Sequence, residues 1–178
     1  MKLKALISKC LARLLVVALS IFPMSVYPLS LSEYEIKAGF IFNFATYTHW
    51  PKEVGDTITL CVYGRNPFGQ SLLDLKGKYI EKRRLKVSLV MHLEQLTACQ
   101  IVFIAQSEHS HLDDVVDVLK GKHVLTLADM PGAVRKGVMI NLLIEGGKVK
   151  FEVNLAEVKQ HGMGISAKLL RMASEVVR

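Results

Sequence analysis

"QIVFIA", residues 100–105, decides the fold. Residues 101–104 are large and apolar without alternation, the pattern of a strand covered on both faces, which places helices on the two sides of a sheet. Its neighbours fit that arrangement. "TITLCVY" (57–63) alternates around β-branched residues, "LKVSLVM" (85–91) and "HVLTL" (123–127) read as further strands, and residues 138–144 and 148–153 form a hairpin around Glu145-Gly146-Gly147. Residues 33–50 have helical spacing, with Ile36, Phe40 and Phe44 on one stripe and Ile41, Ala45 and Thr48 beside it, and Pro51 supplies the stop. A short helix is expected over 70–75. Ser110 with Asp113 forms a capping-box signature before Val115, Val116, Val118 and Leu119. Asn154 caps a helix that breaks at Gly162-Met163-Gly164, and Ser166 caps a last one over 167–177. The fold expected is one α/β domain: a mixed central β-sheet flanked by helices, with a C-terminal hairpin and helical tail. There are no internal repeats and no low-complexity linker to mark a second domain.

Residues 1–32 stand apart. Lys2, Lys4, Lys9 and Arg13 come first with no acid among them, then "LLVVALSIF" (14–22), then Pro23 and Pro28, the order of a secretory signal. The apolar run is about half the roughly 20 residues of a spanning helix. An uncleaved anchor is the alternative, against which the two prolines argue because they break a helix. Small residues at Ser30 and Ser32 place cleavage after Ser32, so that 1–32 is a signal peptide and 33–178 the exported domain, long enough for one core. Loss of those four basic residues lowers the net charge from +7 to +3. The densest basic cluster left, Glu81-Lys82-Arg83-Arg84, reads as a solvated turn, so no nucleic-acid partner is expected. Cys10 leaves with the signal. Cys61 and Cys99 remain, an even pair that reads as a disulfide in an oxidising compartment, with two separate buried thiols as the alternative.

Catalytic and metal motifs are not found. Residues 64–71, "GRNPFGQS", nearly spell a phosphate-binding loop, but Gln70 stands where the motif needs a lysine. What survives is a weaker anion site at Gly64, Arg65 and Asn66, with Asn66 as cap and Pro67 at the first helical position leaving backbone N–H groups outward; a plain capped turn is the alternative. His109 and His111 lack a third ligand nearby, so no metal is expected. No nucleophile-elbow or zinc-protease pattern occurs, and neither an enzyme nor a cofactor is expected. Asn43, Asn141 and Asn154 lie in or beside apolar elements and should be hydrogen-bonded, since an unpaired buried amide costs about 1–3 kcal/mol. Met163 and Met172 are expected to pack the tail onto the sheet. Tyr47 and Trp50, at the aromatic exit of the first helix, are either core or anchors for a partner.

Several segments together resemble the YfiR family of exported bacterial proteins: "EYEIKAGFIFNFATYTHWP", "ITLCVYGRNPFG", "LTACQIVFIA" and "GVMINLLIEGGKVKFEVNLAEVKQHGMGISAKLLRMA". The resemblance covers residues 33–177. It implies a periplasmic regulator that represses a membrane-bound diguanylate cyclase of the YfiN type by binding its periplasmic domain, and that an outer-membrane lipoprotein of the YfiB type sequesters. Lower cyclic di-GMP and less biofilm would follow. It also implies a disulfide between strands at Cys61 and Cys99 and leans toward a homodimer. A second disulfide carried by the better studied family member has no cysteines here. A periplasmic small-molecule or anion-binding module is the alternative function.

Overall fold

The computed structural model describes residues 32–178, so the expected signal peptide lies outside the described residues apart from Ser32. Helix α1 (Glu33–Tyr47) opens on a capping box: Ser32 Oγ accepts from the Glu35 N–H, while the Glu35 carboxylate accepts from the Ser32 N–H. Its buried face is Lys37, Ala38, Ile41, Phe44 and Ala45, a helical stripe displaced from the expected one. Ile36 is left 38% exposed and Asn43 points to solvent, so Asn43 needs no internal partner. The aromatic rings on α1 choose the buried side, because Phe40 and Phe44 close on Phe151 of the sheet at 6.0 and 5.0 Å between centroids.

Ten strands follow: β1 (Thr48–His49), β2 (Thr57–Tyr63), β3 (Tyr79–Ile80), β4 (Arg83–Val90), β5 (Ile101–Ile104), β6 (Leu125–Ala128), β7 (Ile140–Glu145), β8 (Lys148–Asn154), β9 (Gly164–Ile165) and β10 (Glu175–Val177). Eight of them form one sheet in the order β10-β8-β7-β6-β5-β2-β4-β3. From β7 to β4 neighbouring strands run parallel, and β7–β8 and β4–β3 are the antiparallel pairs. β1 and β9 make a separate antiparallel ribbon that ties the exit of α1 to the C-terminal region. The sheet is buried on both faces, as the unbroken apolar run of β5 requires: Ile101 and Phe103 face α1, while Val102 and Ile104 face α2 (Leu112–Leu119). Residues Gly146 and Gly147, both at positive φ, make the two-residue turn of the β7–β8 hairpin.

Three helical expectations change. The helix expected over 70–75 shrinks to a 3-10 turn at Leu73–Leu75. Ser110 does not cap α2, because residues 106–111 coil into a 3-10 segment and α2 starts from His111 without a side-chain cap. The last helix, α4 (Ala167–Leu170), keeps its Ser166 cap but ends after four residues. Ser174 then donates from its N–H and its hydroxyl to the Phe151 carbonyl, both at 2.9 Å, and residues 175–177 pair in parallel with β8. A free sheet edge beside two β-branched valines wins over helical propensity there. Asn154 caps α3 (Leu155–Gln160) as expected, accepting from the Glu157 N–H at 3.0 Å.

Candidate functional site

In this sheet the chain passes from β2 to β4 on one side and then returns to β5 on the other. The reversal opens a crevice beyond the carboxyl ends of β2 and β5, the position where open α/β sheets bind ligands. The crevice, about 330 Å³, is lined by Tyr34, Arg65, Asn66, Pro67, Gln106 and Ser107. Each side arrives for a local reason. Gly64 leaves β2 at φ +92°, and a Cβ there would stand 2.5 Å from Ser107 Oγ, so only glycine lets the loop lie against the turn after β5. The Arg65 N–H then donates to Ser107 Oγ at 2.9 Å, and the Ser107 hydroxyl donates to Glu108 at 3.0 Å. That hydroxyl therefore links the loop after β2 to the turn after β5.

The structure brings Gly64, Arg65 and Asn66 together at the crevice, but not as a helix N-terminus. Asn66 Oδ1 accepts from the Phe68 N–H at 3.0 Å and its amide donates to the Gly69 carbonyl at 3.2 Å, an Asx turn with no α-helix behind it. The guanidinium of Arg65 is exposed and forms no ion pair among the described residues.

Behind the crevice lies a group that the sequence reading passed over. Lys37, 3% exposed, meets Asp129 at 2.7 Å and also pairs with Glu33, while the Tyr34 hydroxyl donates to the same Asp129 oxygen at 3.0 Å. Burial first, and then the Asp129 charge and hydrogen bond, push the Tyr34 phenol up to about 12. Gln106 donates to the Asp129 carbonyl at 3.2 Å, joining the turn after β5 to this pair. Asp129 Oδ1 is buried with no hydrogen-bond partner among the described residues. The signals were a lysine inside an apolar helix and an aspartate directly after a strand, neither of which identifies its partner.

Cys61 and Cys99 are joined, with 6.0 Å between Cα atoms, fastening β2 to the segment entering β5. Asn141, fully buried, accepts from the Met130 N–H and donates to Glu152, which holds the loop after β6 in place. Tyr47 and Trp50 lie away from the crevice, half-buried at the exit of α1. Trp50 Nε1 donates to the Ala45 carbonyl at 2.9 Å, and the Tyr47 hydroxyl accepts from Lys168 at 2.9 Å. Met163 is buried, whereas Met172 is 59% exposed and does not pack the tail. Among the described residues no three His, Cys, Asp or Glu side chains converge as a metal site.

A family model described as YfiR/HmsC-like matches residues 34–174. Among solved structures, the ABC domain in complex with L-Trp from Streptococcus pneumonia is similar at 10% identity and a TM-score of 0.53, over 81% of this chain and 62% of that one. A conserved domain protein from Vibrio cholerae O1 biovar El Tor is similar at 11% identity and the same TM-score of 0.53, over 83% of this chain and 61% of its own. This chain thus spans less than two thirds of either protein, and at such identities the likeness concerns the fold.

Proposed function

The chain belongs to the YfiR/HmsC-like family, periplasmic regulators of diguanylate cyclase signalling, and from that premise we propose that it represses a membrane-bound cyclase of the YfiN type by binding its periplasmic domain. The carrying observation is the family match over residues 34–174, nearly all of the described domain. Export follows from the proposed signal peptide at 1–32, and among the described residues no helix is long and apolar enough to cross a membrane. Repression works only through differential affinity: the regulator stabilises the inactive arrangement of the cyclase by as much as it prefers that arrangement. Tyr47 and Trp50 contribute their outer edges to the partner surface, a lipoprotein of the YfiB type competes for the regulator, and the regulator acts as a homodimer. The test is cellular cyclic di-GMP in a deletion strain, complemented with wild type and with a Cys61→Ser, Cys99→Ser variant. A rise on deletion that only wild type reverses supports repression through the disulfide-supported fold; a level that does not move defeats it.

A second reading rests on the crevice at the reversal of strand order, with the guanidinium of Arg65, which has no ion pair among the described residues, on its lining. There a small anion would bind and tune repression. Inorganic phosphate or acetate should then raise the melting temperature of wild type and leave Arg65→Ala unchanged; equal response of both proteins removes this reading.

A further inference from the structure

The sheet ends on β3 and β4, and β3 covers only part of its neighbour. β3 pairs with Arg83 and Arg84, and the preceding chain extends this by two bonds to Leu85, from Gly77 N–H to its carbonyl and from its N–H to the Lys78 carbonyl. Beyond Leu85 no described residue forms a backbone hydrogen bond with the outer side of β4. Backbone groups alternate along a strand: Leu85 bonds outward, while the Val90 carbonyl accepts inward from Gly64. The N–H and C=O groups of Val87 and Leu89 therefore point out of the sheet unpaired, an open edge of the kind that accepts another strand.

Side chains along this edge are sorted by face. Arg84, Lys86 and Ser88 lie on one face, and together with Lys76, Leu85 and Val87 they line a groove of about 510 Å³ at this edge. Leu85, Val87 and Leu89 lie on the other, and Leu89 is 52% and the adjoining Met91 66% exposed. Residues 76–86 also hold Lys78, Lys82 and Arg83 against the single acid Glu81, which Arg83 takes. Among the described residues Lys76, Lys82, Arg84 and Lys86 have no carboxylate partner. Charge alone would serve to keep an edge from aggregating. Leu89 and Met91 beside it have the opposite effect, since exposed apolar side chains next to free backbone groups invite pairing.

We propose that the outer edge of β4 at Val87 and Leu89 receives an extended segment of a partner protein in which acidic and apolar residues alternate. The segment's backbone completes the ladder, its carboxylates lie over Arg84, Lys86 and Lys76, and its apolar side chains meet Val87, Leu89 and Met91. This assignment comes from the strand edge itself and holds whichever protein supplies the segment.

The probe is an N-acetylated, C-amidated heptapeptide alternating glutamate and valine, titrated into the ¹⁵N-labelled exported protein and followed by amide chemical shifts. Shifts should centre on residues 86–91, and binding should weaken at least tenfold in R84E/K86E and weaken with added salt. It should be lost in V87P, which removes an outward N–H and so is compatible with an edge position. The same peptide with N-methylated valines, tested on wild type, repeats the backbone test without depending on V87P folding, and it should not bind. Equal binding of the lysine–valine peptide, shifts centred elsewhere, undiminished binding of the N-methylated peptide, or no shift at millimolar peptide would overturn the proposal. So would a wild-type dimer that V87P converts to monomer, because a second copy would then occupy the edge.

Discussion

The Lys37–Asp129 pair shows how single residues shape the floor of the crevice. Two ions held away from water are tolerated because each satisfies the other; removing one strands the second. Lys37→Met should therefore destabilise the protein by about 3–5 kcal/mol in urea unfolding, whereas adding Asp129→Leu to it should recover most of that loss. Tyr34 gives this cluster a pH signature. Its folded pKa, about 12, lies above the ordinary 10, so its contribution is fully present below pH 10 and is lost as pH rises toward 12, where the unfolded phenol ionises and the folded one does not. Stability measured between pH 9 and 12 should fall more steeply in wild type than in Tyr34→Phe. None of this was legible residue by residue: Lys37 and Asp129 are 92 positions apart, and only α1 lying across the end of β6 makes them partners.

Elements divide into those that their own sequence explains and those that a neighbour decides. The β7–β8 hairpin, α3 with its Asn154 cap and the doubly buried β5 follow from local pattern, because turn glycines, a capping amide and an unbroken apolar run act within a few residues. The short helix after residue 70 closes only a 3-10 turn at Leu73–Leu75, and α4 stops early because the edge of β8 offers β10 a ladder. The disulfide acts at this scale too. It closes a separation of 38 residues between β2 and the entry to β5, for which constraining the unfolded chain contributes roughly 3–4 kcal/mol. A Cys61→Ser, Cys99→Ser variant should show that loss in denaturant unfolding of the purified protein, and reductant should produce the same shift in wild type alone.

At the scale of the whole molecule, the expected export boundary meets the fold at Ser32. Cleavage after Ser32 would remove the capping hydroxyl of α1, a change of about 1 kcal/mol. The intact mass of the exported protein is expected to begin at Glu33; a mass retaining Ser32 would show that the capped helix is the exported form. The sequence by itself determined the α/β class, pointed to the Cys61–Cys99 pairing and carried no familiar catalytic motif, because hydrophobic period and turn chemistry are written locally. Tertiary structure alone decided the strand order, hence the crevice between β2 and β5, the buried ion pair behind it and the uncovered edge of β4. Those depend on which surfaces meet, and residues distant in the chain carry no local mark of their eventual neighbours.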